Sequence, residues 1–211
     1  ELLASSLEEL ERMRRMVDDI LFLARAEDPR AVIQRTGLSV ADEIGDVADF
    51  LQADAAERGI ALVCDVPAGL ELVGDRMLVR RALVNIVSNA LRHTPTGGRI
   101  ELRARAAGGA EDGTLLIEVC DTGCGVAAEL LPHVFDRHVR GADAGTRHPE
   151  GAGLGLAVVR GIMELHGGTV ALSSRAGEGA RVTLSFPGDS RRSASAAWPA
   201  SDTPRNPRTA T

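Results

Sequence analysis

Aromatic residues make up only 2% of the 211-residue chain, with no Tyr, one Trp and four Phe. The core must therefore rest on Leu, Val, Ile and Ala, and so few rings argue against a stacking platform for single-stranded nucleic acid. Cysteine is also scarce. Cys64, Cys120 and Cys124 form an odd set without CxxC pairing, which reads as reduced cytosolic thiols rather than a disulfide framework or metal site. The four-residue spacing of Cys120 and Cys124 leaves a metal or redox role open, but Cys120 sits in an apolar strand pattern and Cys124 among glycines, which favours a structural reading. Excess positive charge is missing as well. A net charge of -6 gives no electrostatic reason for a nucleic-acid partner. No apolar run approaches the roughly 20 residues that span a bilayer, and the N-terminus lacks the order of a signal peptide. Any membrane attachment of a parent protein would have to come through a region N-terminal to Glu1.

What is present is a 44% hydrophobic composition, enough for one ordinary domain with appendages. The chain opens inside a helical pattern, as a fragment of a longer protein would. Leu3, Leu7, Leu10, Val17, Leu21 and Ala24 follow spacings of three and four with Arg14 in the one missing place, and Met13, Met16, Ile20 and Leu23 form an adjacent seam. That face is too wide for solvent and predicts packing in a helical bundle with other helices or a second chain. Asp28-Pro29 ends the helix. The expected organisation is a bundle helix over 1–28, a hinge linker over 29–37, a globular domain over 38–187 and a disordered tail over 188–211, where Ser, Arg, Ala, Pro and Thr dominate. Within the domain, Ser39 and Asp42 start a helix that Gly59 stops, and Ile60 to Val66 is strand-like. Gly74-Asp75 turns into a long helix ending near Arg92. Ile100 to Ala106 and Leu115 to Asp121 read as paired strands, Gly153 to His166 as a helix, and Thr169 to Ser174 with Ala180 to Phe186 as closing strands. The stretch from Leu130 to Gly151 is long and irregular, which in a compact domain marks a functional or mobile loop.

Three segments in fixed order carry the chemistry: Asn85-Ile86-Val87-Ser88-Asn89, Asp121-Thr122-Gly123-Cys124-Gly125 and Gly151-Ala152-Gly153-Leu154-Gly155-Leu156. On a helix turning about 100° per residue, Asn85, Asn89 and Arg92 share a narrow sector, opposite Val79, Leu83, Ile86, Val87 and Ala90. Asn is a poor helix former, so two in register ask for a reason. A carboxamide oxygen suits magnesium, the other group can meet phosphate, and Arg92 neutralises phosphate charge. Asp121 ends an apolar strand, where a carboxylate needs a donor such as an adenine amino group. Gly123 and Gly125 let backbone approach a flat base. The last glycine set precedes a helix whose free N–H groups can face phosphate, but it fits neither the Walker nor the Rossmann pattern. Each segment alone has a plainer reading, as a solvated face, a hairpin turn or a capping glycine. The ordered set points to ATP.

These segments resemble the N, G1, F and G2 boxes of sensor histidine kinases, within the class shared with type II topoisomerases, the Hsp90 chaperone and mismatch-repair ATPases. The matches are Asn85-Ile-Val-Ser-Asn89-Ala-Leu-Arg-His-Thr-Pro95 for N, Asp121-Thr-Gly-Cys-Gly125 for G1, Phe135-Asp-Arg-His-Val-Arg140 for F, and Gly151-Ala-Gly-Leu-Gly-Leu156 for G2. The resemblance covers roughly Leu38 to Pro187. It implies an α+β, two-layer sandwich of a mixed sheet on three helices, the Bergerat ATP-binding fold, with a lid between the F and G2 boxes. It also implies Asn85 and Asn89 as Mg2+ and phosphate residues and Asp121 as the adenine anchor. Arg92 stands where many relatives have a phosphate-contacting Lys, and His93 where a Tyr often lies beside the base. Arg137 and Arg140 would reach terminal phosphates, and Gly123, Gly125, Gly151, Gly153, Leu154, Gly155 and Leu156 would complete the ATP site.

The first helix, from Met16 to Arg25, resembles the second helix of the dimerisation hairpin. The preceding helix, with its phosphoacceptor His, is not in the sequence, and none of His93, His133, His138, His148 or His166 stands in such a context. The implied function is transfer of the ATP γ-phosphoryl to that His and relay to the Asp of a response-regulator receiver domain. The domain would be cytoplasmic and its dimeric parent held in the bacterial inner membrane. Leu21 to Arg25 and Asn89 to Pro95 look most like the heavy-metal-responsive branch. Competing expectations are a non-catalytic ATP-binding or dimerisation module and a protein-serine kinase of the anti-sigma-factor type.

Overall fold

The computed structural model describes residues 2–28, 30–107, 113–139 and 153–188. A helix, α1 (Leu2–Ala26), leads to a short strand β1 (Thr36–Ser39) and then to α2 (Val40–Glu57), β2 (Ala61–Asp65), β3 (Glu71–Gly74) and α3 (Arg76–His93). Strands β4 (Arg99–Ala107) and β5 (Thr114–Asp121) follow, then α4 (Gly155–Leu165), β6 (Thr169–Ser174) and β7 (Ala180–Phe186). The main sheet has five strands in the order β2-β4-β5-β7-β6. β2 runs parallel to β4 and every other neighbouring pair is antiparallel, so the sheet is mixed as expected.

Local chemistry sets the helix boundaries. Ser39 Oγ accepts the N–H of Asp42 at 3.3 Å, and Asp42 and Glu43 in the first turn of α2 complement its positive end. Gly59, at φ +65°, turns the chain out after that helix. Asp75 Oδ1 accepts from Met77 and Leu78 at 3.1 and 3.3 Å, starting α3. One face of each of the three helices then meets one face of the sheet. Ile44, Val47 and Leu51 of α2, Leu83, Ile86 and Val87 of α3, and Val158, Ile162 and Met163 of α4 are buried against Ile100, Leu102, Ile117, Val119, Leu184 and Phe186. This aliphatic core holds a single fully buried aromatic ring besides imidazole, that of Phe186, among the described residues.

Two elements escape the sequence pattern. β1 and β3 pair antiparallel from Thr36↔Gly74 to Ser39↔Glu71 as a separate two-stranded sheet. With four residues each, they are too short to show alternation, and β1 begins at Thr36 inside the stretch expected as linker. That stretch is tied down. Gln34 N–H donates to Asp75 Oδ2 at 3.0 Å and the Arg35 guanidinium to the Leu165 carbonyl at 3.3 Å.

α1 packs on α4 through its C-terminal end. Leu23 is buried and Met16 and Phe22 are partly buried, while Leu10, Met13, Val17, Ile20 and Leu21 remain exposed. Among the described residues, no helix is long and apolar enough to cross a membrane. The expected tail beyond Gly188 and most of the irregular stretch, including Arg140 and Gly151, lie outside the described residues.

Candidate nucleotide site

The back of α3 is fully committed to the core, with Val79, Leu83, Ile86, Val87 and Ala90 all buried. Asn85, Asn89 and Arg92 are therefore left on its part-buried front, as helical spacing requires. Asn85 Nδ2 is buried and has no hydrogen-bond partner. An orphaned amide in such a position is costly to a folded protein unless a ligand completes it. Gly155, the first residue of α4, lies directly opposite: a Cβ there would stand 3.9 Å from both Cγ and Oδ1 of Asn85. Leu154 at the N-cap supplies no side-chain acceptor, so the first N–H groups of α4 have no side-chain cap. Leu154 itself is buried in the core, which leaves its backbone, not its side chain, to face a ligand. Leu156 is part-buried. The N-terminal end of one helix and the amide face of another thus meet, an arrangement suited to a phosphate chain and its counterion.

Asp121 closes β5 at the other side of the site. Its Oδ1 accepts from the N–H groups of Gly123 at 2.8 Å and Ala180 at 3.2 Å. Burial raises this carboxyl above its ordinary range, and the two backbone donors oppose the shift. Both donors fall on the same oxygen, which leaves Oδ2 able to accept from a ligand.

The glycines beside Asp121 have a second reason to be glycine. A Cβ on Gly123 would meet the His93 carbonyl oxygen at 2.5 Å and Asp121 Oδ1 at 2.7 Å. Gly125 has φ +69°, and its Cβ would stand 2.0 Å from the Arg175 carbonyl oxygen. Close packing of protein on protein demands these residues before any base arrives. The loop is fixed by Cys124 N–H to the His93 carbonyl at 3.2 Å and Val126 N–H to Ser174 Oγ at 2.8 Å. His93 is part-buried at the end of α3, under this loop. Ser174, Gly179 and Ala180 in the β6–β7 turn were not singled out in the sequence; Gly177 and Gly179 were the available signal.

On the far side, His138, in the left-handed region at φ +64°, donates its N–H to the Gly153 carbonyl at 3.0 Å. This joins the Phe135–Val139 segment to the second glycine loop. The adjacent Arg137 pairs with Glu27, just beyond α1. Cys64 and Cys124 are exposed and Cys120 is part-buried, all as free thiols, with burial pushing Cys64 and Cys120 up. No group of three or more His, Cys, Asp or Glu side chains among the described residues could hold a metal.

The family described as "Histidine kinase-, DNA gyrase B-, and HSP90-like ATPase" matches residues 74–190, which contain every element of this site. Sensor histidine kinase CusS of Escherichia coli strain K12 is 42% identical over 187 residues, 89% of this chain and 38% of that protein. The chain belongs to the sensor histidine kinase family. It spans well under half the length of such curated relatives. Among solved structures, full-length ShkA in complex with AMPPNP superposes with a TM-score of 0.75 at 27% identity, covering 92% of this chain and 38% of that one. Acinetobacter baumannii histidine kinase AdeS gives a TM-score of 0.73 at 19% identity, covering 88% and 83%, and so shares the fold. The mixed sheet on three helices is the histidine kinase ATP-binding fold, and the family places ATP as its nucleotide.

Proposed function

We propose that this chain is the catalytic half of a sensor histidine kinase, which carries the γ-phosphoryl of Mg-ATP to a His on the first helix of a dimerisation hairpin. The observation that supports it best is the orphaned Asn85 amide facing the uncapped start of α4. Asn85 and Asn89 offer carboxamide oxygens to Mg2+, which when bound offsets charge on the phosphate oxygens. Asp121 Oδ2 takes the adenine amino group, and the N–H groups at Gly153 to Leu156 take phosphate oxygens. Arg92 adds positive charge at the α3 end of the site, and Arg137 reaches the terminal phosphate. Phosphoryl transfer asks little covalent chemistry of a protein, so these residues act by positioning and by stabilising charge.

The exposed apolar face of α1 supports a bundle partner. The exposed seam of Leu10, Val17 and Leu21, with Met13 and Ile20 beside it, fits the first helix of such a hairpin and the second hairpin of a dimer. The phosphorylated His then passes its phosphoryl group to a response-regulator Asp, on the cytoplasmic side of the membrane that anchors the parent protein. The test is incubation of this chain with γ-labelled ATP, magnesium and a separately supplied domain carrying the acceptor helix. Acid-labile, alkali-stable label on that domain is expected. Tight ATP binding with no label on any acceptor domain of the family would favour the non-catalytic module instead.

A further inference from the structure

The stretch over 29–37, expected as a free linker, is bonded at both ends. On the α1 side Asp28 closes the helix with a tight turn, its Oδ1 accepting the Arg30 N–H and its carbonyl the Ala31 N–H, each at 2.9 Å. On the domain side the Gln34 N–H donates to Asp75 Oδ2 at 3.0 Å, the Arg35 guanidinium donates to the Leu165 carbonyl at 3.3 Å, and β1 pairs with β3 from Thr36 onward. Val32 and Ile33 lie between these two sets of bonds. Val32 is 93% exposed, and among the described residues neither of the two forms a hydrogen bond.

Asp75 has three attachments. Its Oδ1 caps α3 through the N–H groups of Met77 and Leu78, its Oδ2 takes Gln34, and its own N–H donates to the buried His166 Nε2 at 3.0 Å. The linker is thereby joined to the start of α3 and, through Leu165, to the end of α4. These are the two helices that face each other at Asn85 and Gly155, the phosphate end of the site. Continuous helix of about 15 Å separates Asp75 from Asn85, so rigid backbone fixes how far the phosphates lie from the end of the linker.

We propose that Asp75 is a positioning residue for phosphoryl transfer: its Oδ2 holds the linker on the catalytic domain as far as Gln34, so that the domain turns relative to α1 about Val32 and Ile33 alone. This rests on the proposed transfer to a separate helix. Two extended residues span at most about 7 Å, whereas the whole of 29–37 would span about 30 Å. The ATP site then travels on an arc about a short joint instead of searching at the end of a tether.

Amide exchange in this chain tests the joint. Val32 and Ile33 exchange fast and Gln34 slowly in the unaltered protein. Asp75→Asn and Asp75→Ser each keep one oxygen, which goes to the two N–H groups of the α3 cap, and each loses the acceptor for Gln34. Gln34 exchange rises about three- to tenfold in both variants, the effect of one lost hydrogen bond, while Met77 and Leu78 keep their protection. A second readout follows motion. Arg81 clasps α1 by donating to Asp19 Oδ1 at 2.7 Å beside the Phe22 ring, and in an Arg81→Ala background amide relaxation compares the tumbling of α1 with that of the sheet. Adding Asp75→Asn makes the two more independent. The proposal is overturned if Gln34 exchanges as fast as Ile33 in the unaltered chain, if Met77 and Leu78 lose protection together with Gln34, or if Asp75→Asn leaves the tumbling unchanged. Exchange needs no nucleotide, so those results leave the ATP reading standing. A chain that binds no ATP instead overturns the proposed function, and the positioning role with it.

Discussion

Replacing Asp121 with Asn changes one atom at the adenine end of the site, and the structure makes its consequences calculable. An Asn carbonyl in the position of Oδ1 can still accept from Gly123 and Ala180, so the loop keeps its anchors. The Asn amino group then sits at the place of Oδ2 and meets the adenine amino group donor to donor. A hydrogen bond to a charged group contributes about 1.5–3 kcal/mol, so ATP affinity should fall about ten- to a hundredfold. GTP, with a carbonyl where adenine has its amino group, should lose less, and the ATP to GTP preference should narrow. Stability moves the other way. Because burial raises the Asp121 carboxyl in the folded state, its favourable contribution exists at pH values below the ordinary 3.8 and is lost as pH rises through the raised value. At neutral pH the ionised group is a burden, and Asp121→Asn should leave the unfolding free energy unchanged within about 1 kcal/mol or increase it. ATP binding to the unaltered chain should likewise weaken on acidification at a higher pH than an ordinary Asp would dictate, a trend absent from the variant. Competition titrations of ATP and GTP, with urea melts of both proteins, supply the numbers. Unchanged ATP affinity in a stably folded Asp121→Asn protein would refute the placement of the base.

The remaining predictions concern the loop, the amide face and a buried imidazole. Asn85→Ala removes an amide whose nitrogen has no partner, so folding stability should hold within about 1 kcal/mol while magnesium-dependent ATP affinity drops at least about tenfold by calorimetric titration. Gly125→Ala drives a Cβ to 2.0 Å from the Arg175 carbonyl oxygen at φ +69°, and should cost about 2–4 kcal/mol, read as a lower denaturant midpoint. His166 is buried with its Nδ1–H donated to the Ile162 carbonyl at 2.7 Å and its Nε2 accepting the Asp75 N–H at 3.0 Å, so the folded state needs it neutral. Burial, with Arg35 adding to it, holds its pKa below the ordinary 6.5 despite the Ile162 bond and Asp75. Stability should therefore be full above pH 6.5 and decline as pH falls through the lowered value, with His166→Gln flattening that slope in melts at stepped pH.

How much of this was legible depended on whether a residue's reason was local. Asn85, Asn89 and Arg92 announce a polar helix face by spacing alone, and the buried back of α3 agrees residue for residue with the sequence pattern. Ser39 and Asp75 announce helix starts because capping is a contact over two or three residues. β1 and β3 did not show, since a four-residue strand exists only by virtue of its distant partner. The role of Ser174 and Ala180 was equally hidden: it arises from the register that puts Ala180 opposite Asp121 across β5 and β7. Asp19 carries no local signal of its role, because it is the partner of Arg81, 62 residues away. The glycines were found for one reason and prove necessary for another, because tight packing of loop on loop and access for a ligand leave the same mark on a sequence.

The most direct test of the site is a crystal structure of this chain with magnesium and a non-hydrolysable ATP analogue. The account predicts the adenine amino group hydrogen-bonded to Asp121 Oδ2, phosphate oxygens on the N–H groups that begin α4, and the metal against an Asn85 or Asn89 carboxamide. A base bound away from Asp121, or phosphates that leave Asn85 and the start of α4 untouched, would contradict it.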